Sequence, residues 1–232
     1  MRMGFGSWKA STLPRKFSMS LKSVNGFVEY SRGGKKVNVM GDLKQVESDL
    51  RILPRSPINL PERITDHYMI NFPLTIIPPG GRQVIFIRLP LEVEVRYKGR
   101  ALDFVGFDSP SFSLYGPVDG GILTRNIRGE IVTDSSGNPP KNMDGRHMVM
   151  PLRIKNYTSQ LHQINKVLIN TRYMDLYYKG LQVATEKIKM DLTAKGVHVR
   201  YLNETHFKGL QKMSGESQLL KKEQKTDMEW GL

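Results

Sequence analysis

The sequence predicts a mainly β protein made of two antiparallel β-sandwich-like units packed together, with little helix. Apolar and polar side chains alternate with period two along several segments, as they do on half-buried strands. Paired glycines and prolines interrupt these segments where turns are needed. A similar order of strands also occurs twice. With 232 residues, the chain is long enough to bury a sizeable core.

The repeated order runs from His67 to Gly99 and again from His147 to Gly180, each time closing on Tyr-Lys-Gly. Each stretch is predicted to form an apolar strand, a turn or polar loop, a second strand and a third strand. The two stretches align over their whole length if the second contains one inserted residue. Because few residues are identical, an internal duplication is a hypothesis, and the strand prediction does not depend on it.

The first part of the chain is predicted to hold a basic arm, a hairpin and a short helical segment. Met1 to Lys22 is rich in Ser, Lys and Arg and reads as a loose arm or an edge strand. Phe27 to Tyr30 and Lys35 to Val39 are two runs in hairpin register around Gly33-Gly34. Between Leu43 and Leu53, apolar residues recur at helical spacing, which predicts a turn or two of helix.

The strand signal is strongest from Ile64 onward. Tyr68 to Phe72 alternates, and Pro78-Pro79-Gly80-Gly81 supplies a turn. Val84 to Leu89 is apolar on both faces, as a central strand should be. Leu91 to Tyr97 alternates apolar residues with Glu and Arg, which predicts a half-buried strand with mixed, cross-strand-paired charges on its outer side.

Asp134 to Asn142 is the longest cluster of turn-forming residues and is predicted to separate the two units. Short strands precede it between Leu102 and Val132, and alternating strands follow it. The predicted division is a basic N-terminal arm (1–22), a first β unit (23–140), a second β unit (141–207) and a polar, Lys-rich tail (208–232).

The chain is strongly basic, with 35 Lys and Arg against 22 Asp and Glu and a net charge of +13. The excess lies at the two ends, because residues 1–60 and 146–232 each carry +7 whereas residues 61–145 carry −1. Such an asymmetry indicates attraction to phosphate, in nucleic acid or in anionic lipid head groups. The alternative is a solvated Lys and Arg surface that only keeps the protein in solution.

A basic strand face in the second unit is the predicted anion-binding site. Cations alternate with apolar residues on three predicted strands, so they share the outer face if these strands share a sheet. The candidate residues are Arg153, Lys155, Lys187, Lys189, His198 and Arg200. Tyr173 and Tyr201 are predicted by parity to point inward, which argues against sequence-specific base readout.

No residue pattern indicates a reaction. Cysteine is absent, which excludes thiolate nucleophiles and Cys-based metal sites. The paired glycines lack phosphate-loop spacing, and the five histidines lack metal-ligand spacing. We therefore predict no catalytic residue, no cofactor and no metal site. No apolar run approaches the ~20 residues of a membrane span, so we expect a cytoplasmic protein, or one peripheral at the membrane.

The central part of the chain resembles an archaeal family of uncharacterised proteins, domain of unknown function number 432. The resemblance is carried by Ile58 to Thr65, the strand from Tyr68 to Phe72, the Pro78-Pro79-Gly80 turn, the strand from Leu91 to Tyr97 and the Ser113 to Pro117 turn. It is expected to cover roughly Leu53 to Leu202 and to leave out the two basic ends. It implies an uncharacterised archaeal protein whose gene is associated with small-conductance mechanosensitive channel genes, and it brings no catalytic residues.

Three functions remain open at this point. The first is a non-enzymatic binding or accessory module that docks through its basic faces onto an anionic surface or larger assembly, a nucleic acid or ribonucleoprotein. The second is a membrane-surface partner of a mechanosensitive channel. The third is an enzyme with an unfamiliar site between the two β units, directed at a sugar or a nucleotide.

Overall fold

A computed structural model of the protein describes residues 5–7, 17–58, 62–133, 137–140, 144–213 and 226–228. Strands account for 59% of it and helices for 6%, which confirms the mainly β class with little helix. Parts of the predicted arm, of the predicted joint and of the predicted tail lie outside the described residues: 1–4, 8–16, 134–136, 141–143, 214–225 and 229–232.

The N-terminal elements confirm the predicted hairpin and helical turn. They are β1 (Gly6–Ser7), β2 (Met19–Val24), β3 (Phe27–Arg32), β4 (Lys35–Met40), α1 (Leu43–Asp49) and β5 (Leu50–Arg55). Strands β3 and β4 pair around Gly33-Gly34, where both glycines have positive φ. The side chain of Asp42 caps α1 by accepting a hydrogen bond from the backbone N–H of Gln45 at 3.0 Å.

Seven further strands precede the predicted joint, and eight follow it in the described part of the chain. The first group is β6 (His67–Ile77), β7 (Arg82–Pro90), β8 (Glu92–Tyr97), β9 (Arg100–Val105), β10 (Ser111–Tyr115), β11 (Ile122–Arg128) and β12 (Glu130–Ile131). The second is β13 (His147–Asn156), β14 (His162–Asn170), β15 (Leu176–Lys179), β16 (Gln182–Thr185), β17 (Ile188–Thr193), β18 (Gly196–Tyr201), β19 (Gln211–Lys212) and β20 (Thr226–Met228). A 3-10 turn, Thr171–Tyr173, lies between β14 and β15.

These strands form four sheets. The N-terminal sheet has the order β2-β3-β4, a second sheet has the order β1-β5-β8-β9, and a small mixed sheet has the order β10-β11-β6-β14. The large sheet runs β19-β15-β16-β13-β17-β18-β20, with β7 paired to both β13 and β12. Most pairs are antiparallel, as predicted, but β11 pairs with β6 and β13 pairs with β16 and β17 in parallel. Such pairs need a crossover connection, and periodicity carries no signal for it.

Strands from both sides of the predicted joint pair with each other. Strand β6 pairs antiparallel with β14 in the small mixed sheet, and β7 pairs antiparallel with β13 in the large sheet. Both sheets therefore take strands from the first and the second predicted unit. The division of the chain into two units stays a prediction.

The register of these two pairs is internally symmetric. His67 lies opposite Asn170 and His147 lies opposite Pro90, and the residue numbers of the two pairs differ by 80 (67 and 147, 90 and 170) as far as the bulge between Ile164 and Lys166. The same offset relates Asn71 opposite Lys166 to Pro151 opposite Phe86. The first strand of each repeated stretch thus pairs with the second strand of the other. A two-fold relation between the stretches produces this pattern, which supports the predicted duplication.

One buried cluster lies between the small mixed sheet and the inner face of the large sheet. It includes Tyr68 and Ile70 from β6, Ile87 from β7 and Leu152 from β13, all less than 1% exposed. Along β7 and β13 the alternate residues point the other way, so that Val84 lies opposite Arg153 on the outer face. The packing of the inner face therefore fixes which side chains the outer face presents.

Strand β8 differs from the prediction in its burial. Glu92 and Glu94, expected on a solvated outer side, are 3% and 2% exposed, because other parts of the protein cover both faces of the strand. The predicted charge pairing is present nevertheless. Glu94 accepts hydrogen bonds from Arg55 and from Arg96, and Glu92 contacts Arg125 at 3.0 Å.

Candidate anion-binding face

The structure places the six basic residues singled out in the sequence on one face, the outer face of the large sheet. They are Arg153 and Lys155 on β13, Lys187 directly before β17, Lys189 within β17, and His198 and Arg200 on β18. Arg153 lies opposite Lys189, which lies opposite Arg200 on the next strand. Because adjacent strands are about 4.8 Å apart, these three cations form a row across the sheet.

Carboxylates neutralise the half of this face that β17 and β18 form. Asp191 lies in the next row, and its Oδ2 is 2.9 Å from Nζ of Lys189 and also accepts a hydrogen bond from Arg200. Lys187 Nζ lies 2.9 Å from Oε1 of Glu204. Most of the positive charge in this half is therefore already paired within the protein.

In the half that β7 and β13 form, Arg82, Arg153 and Lys155 make no ion pair with any described residue, although Asp191 on β17 lies opposite Lys155. Arg82, at the start of β7, is exposed, lies opposite Lys155 and makes no hydrogen bond or ion pair in the part of the chain that the structure describes. The Nε of Arg153 is buried without a hydrogen-bond partner. Lys155 donates to the carbonyl oxygen of Gly80. Three adjacent cations thus lack an anionic partner within the described structure.

An exposed aromatic ring lies beside these cations. Tyr157 follows β13 directly and is 58% exposed. The Nζ atoms of Lys155 and Lys189 lie 5.7 and 5.6 Å from its ring centroid, within the range of cation–π interaction. Tyr157 could not be assigned to this face from the sequence, because it follows the strand and alternation does not extend to it. Tyr201 does point inward as predicted, and its hydroxyl donates to the Asn170 carbonyl at 2.9 Å.

We call Arg82, Arg153, Lys155 and Tyr157 the docking patch. Arg82 was missed in the sequence because it precedes the apolar run from which the strand was recognised. The buried Phe86, Val132 and Val149 occupy the next part of the same outer face, where Phe207 packs against them. This apolar cluster separates the docking patch from a second feature at the far end of β7.

That second feature is a polar cleft of about 660 Å³. Its walls come from both predicted units, since Asn71, Arg88 and Arg128 precede the predicted joint and His147 follows it. The cleft lies between the small mixed sheet and the end of β7 and β13. It was not visible in the sequence, because its side chains are contributed by separate strands and loops.

The histidines are dispersed in the structure, as they are in the sequence. His67 Nε2 lies 3.2 Å from Nδ2 of Asn170, and His162 Nε2 lies 2.8 Å from the hydroxyl of Thr158. Burial lowers the pKa of His67 and of His206, whose ring packs on Phe86. Across the described residues, no group of three His, Asp or Glu side chains is arranged to hold a metal ion.

The fold and the face define a mainly β protein with mixed sheets and a cationic outer surface, and its sequence identifies the family. The chain belongs to the family described as "Protein of unknown function (DUF432)", whose model matches residues 5–231. The expected extent, Leu53 to Leu202, was therefore too short, and the basic ends belong to the family match. Their weak alternation had given no motif by which to recognise them.

Comparison with curated proteins and with solved structures finds no similar protein. In the described part of the chain, no helix is long and apolar enough to cross a membrane.

Proposed function

We propose that the protein is a non-enzymatic binding or accessory module of the cytoplasm that docks onto nucleic acid or a ribonucleoprotein through its docking patch. The observation that carries this proposal is the set of adjacent guanidinium and ammonium groups of Arg82, Arg153 and Lys155. The lysines of β17 and the arginine of β18 form ion pairs with Glu204 or Asp191, whereas these groups form none with the described residues.

Electrostatics favour an anionic occupant of this patch. Like charges on neighbouring strands repel each other, and a guanidinium nitrogen that is buried without an acceptor destabilises the free protein. A phosphate group bound at the surface beside these side chains would supply the missing negative charge. Arginine suits this role, because its planar fork can donate two hydrogen bonds to one phosphate.

Tyr157 favours nucleic acid over other polyanions. Proteins that bind single strands combine a positive groove with aromatic rings on which bases stack. The ring of Tyr157 is exposed, and two ammonium groups lie within 5.7 Å of its centroid, so a base stacked on it would have its phosphates close to Lys155 and Arg82. An unstructured single strand is therefore the form of nucleic acid that we expect to bind.

Charge removal tests this proposal. Fluorescence anisotropy with a labelled single-stranded oligonucleotide should show affinity that falls steeply with salt, and Arg82→Gln with Lys155→Gln should reduce the slope of log K against log salt by about 0.7 per lost contact. The matched control is Lys22→Gln with Lys44→Gln, which removes the same charge from exposed positions on β2 and α1. Equal losses in the two double variants would mean that only net charge matters and would remove the patch from the proposal.

Removing the ring tests the stacking. Tyr157→Ala should weaken oligonucleotide binding by about 1–3 kcal/mol, the usual contribution of one stacked base. Tyr157→Phe keeps the ring and should bind like the natural protein. A loss of the same size in both variants would show that the hydroxyl matters instead of the ring.

The alternative of a membrane-surface partner of a mechanosensitive channel rests on the same cations, which would also attract anionic head groups. Cosedimentation with vesicles separates the two. Binding to phosphatidylserine vesicles together with no affinity for the oligonucleotide would replace the proposed function by this alternative. The enzyme alternative is favoured by a different observation, the polar cleft.

A further inference from the structure

The polar cleft is a candidate ligand site that the proposed docking function does not use. Its volume of about 660 Å³ lies in the range typical of small-molecule sites. One wall is formed by Asn71 and Arg128, which lie opposite each other on β6 and β11. The other wall is formed by Arg88 and Glu130, which lie opposite each other on β7 and β12, with His147 beside them.

One arginine of the cleft makes no ion pair with a described residue. Arg88 Nη1 lies 3.0 Å from Oε2 of Glu130. Arg128 is exposed and has no hydrogen bond or ion pair within the described residues. The guanidinium of Arg128 is therefore the cation of the cleft that is available to an anionic ligand.

The carboxylate of Asp108 lies in the wall of the cleft and accepts a hydrogen bond from a buried arginine behind that wall. Nη2 of the buried Arg125 donates to its Oδ1 at 2.8 Å, while Nη1 donates to the Pro57 carbonyl at 2.6 Å and to Glu92 at 3.0 Å. The Arg125 side chain is 2% exposed, so its position is fixed by these three acceptors. Arg125 shares its single positive charge between Asp108 and Glu92, so the charge of Asp108 is compensated in part. Its second oxygen is left to accept a hydrogen bond from a ligand.

The remaining polar groups of the cleft suit hydroxyl groups. Asn71, Ser109 and Ser111 contribute an amide and two hydroxyls, and Asn126 has its oxygen engaged by Ser113 at 2.9 Å, which leaves its amide nitrogen as a donor. No Phe, Tyr or Trp side chain lines the cleft in the described structure, so the imidazole of His147 is the one ring there on which a nucleobase could stack.

We propose that this cleft binds a small phosphorylated sugar or polyol, with the phosphate on Arg128 and the hydroxyl groups on Asp108, Asn71 and Ser111. Arg128 can bind a phosphate through two hydrogen bonds. This site is separate from the docking patch, since the Phe86 cluster lies between them on the outer face.

Isothermal titration calorimetry on the full chain tests the site. Glucose 6-phosphate and glycerol 3-phosphate should bind, inorganic phosphate should bind more weakly, and glucose should not bind. Arg128→Ala should weaken glucose 6-phosphate binding by about tenfold or more, and Arg128→Lys, which keeps the charge but loses the fork, should weaken it less. Because Arg128 is exposed, neither variant should disturb folding.

Other outcomes overturn the proposal. Absence of binding by either phosphorylated compound, or glucose binding as tightly as its phosphate, would exclude it. AMP binding more tightly than glucose 6-phosphate would replace the ligand class by nucleotides. The double variant Arg82→Gln with Lys155→Gln serves as the control and should bind glucose 6-phosphate normally. This control also keeps failure of the cleft proposal distinct from failure of the docking proposal.

Discussion

Asp103 is a buried carboxylate that joins two sheets of the protein. It lies on β9 and is 2% exposed. It accepts hydrogen bonds from the hydroxyl of Tyr30 at 2.8 Å, from Nζ of Lys35 at 2.9 Å and from Nε of Arg32, all of which come from β3 and β4. A buried charge of this kind is tolerated because each of its oxygens has donors, and it fixes how the N-terminal sheet packs.

Removing this charge should destabilise the fold. We expect Asp103→Asn to lower the free energy of unfolding by about 3 kcal/mol, because the positive charges of Arg32 and Lys35 lose their partner. Urea denaturation measures this loss. The matched control is Lys36→Gln, which breaks the exposed ion pair with Glu29 and should cost less than about 1 kcal/mol. Similar losses in the two variants would contradict the structural role of Asp103.

The same carboxylate predicts a pH dependence. Burial by itself would raise the pKa of Asp103, but the hydrogen bonds from Arg32, Lys35 and Tyr30 outweigh it and hold the pKa below its ordinary value. A lowered pKa contributes stability above the unfolded value of about 3.9 and loses it as the pH falls through the folded value. The difference in unfolding free energy between the natural protein and Asp103→Asn should therefore be largest near neutral pH. It should shrink below about pH 4; a constant difference would contradict this account.

At the scale of single residues, the sequence could predict on which face of a strand each side chain lies. Alternation along each strand was sufficient to place Arg153, Lys189 and Arg200 on one face. It could not show that Asp191 would neutralise part of that face, or that Arg82 would extend it, because both depend on the register between strands. Tyr157 lies just outside a strand, where alternation no longer applies.

At the scale of elements, Gly129 is the point where the chain passes from one sheet to another. Strand β11 before it pairs with β6 in the small mixed sheet, and β12 after it pairs with β7 in the large sheet. A Cβ at this position would lie 2.5 Å from Cγ2 of Ile87 and 3.0 Å from Cγ2 of Ile70. The passage between the sheets therefore requires a residue without a side chain.

Substituting this glycine should lower the stability of the protein. We expect Gly129→Ala to reduce the free energy of unfolding by about 1–3 kcal/mol, the usual cost of overpacking a core. Gly106→Ala is the control, because a Cβ at Gly106 meets no atom within 4 Å, and its effect should stay within about 1 kcal/mol. Thermal unfolding followed by circular dichroism would reveal both, and an unchanged midpoint for Gly129→Ala would show that β11 and β12 can move apart.

Local elements could be predicted from the sequence where their partners are close in the chain. The β3–β4 hairpin and α1 were recognised from Gly33-Gly34 and from the helical spacing of apolar residues. The parallel pairing of β13 with β17 was not recognised, because their residues are separated by a crossover that leaves no periodic signal. The cleft was missed for the same reason.

For the whole molecule, the symmetric pairing of β6 with β14 and of β7 with β13 makes the two repeated stretches interdependent. Each stretch supplies the other with hydrogen-bond partners for its first two strands. The sequence predicted the repeat but suggested two units side by side, because it shows the order of strands and not which strands pair. The shared core cluster follows from the same interleaving.

Fragments test this interdependence. We expect fragment 1–140 alone to lack the dispersed amide NMR spectrum of a folded protein, because β6 and β7 would expose unpaired edges. Fragment 141–232 should behave likewise. Mixing the two should restore the spectrum of the intact chain. A folded spectrum from either fragment alone would show instead that the predicted units are independent domains.

The distant pairing of β6 also affects how the protein is made. His67 lies opposite Asn170, so β6 is synthesised roughly 100 residues before its partner β14 is complete. At the usual rate of translation this delay lasts about 5–20 s. During that time an apolar strand is exposed without its neighbour, so the nascent chain should depend on chaperones more than a protein built from local hairpins.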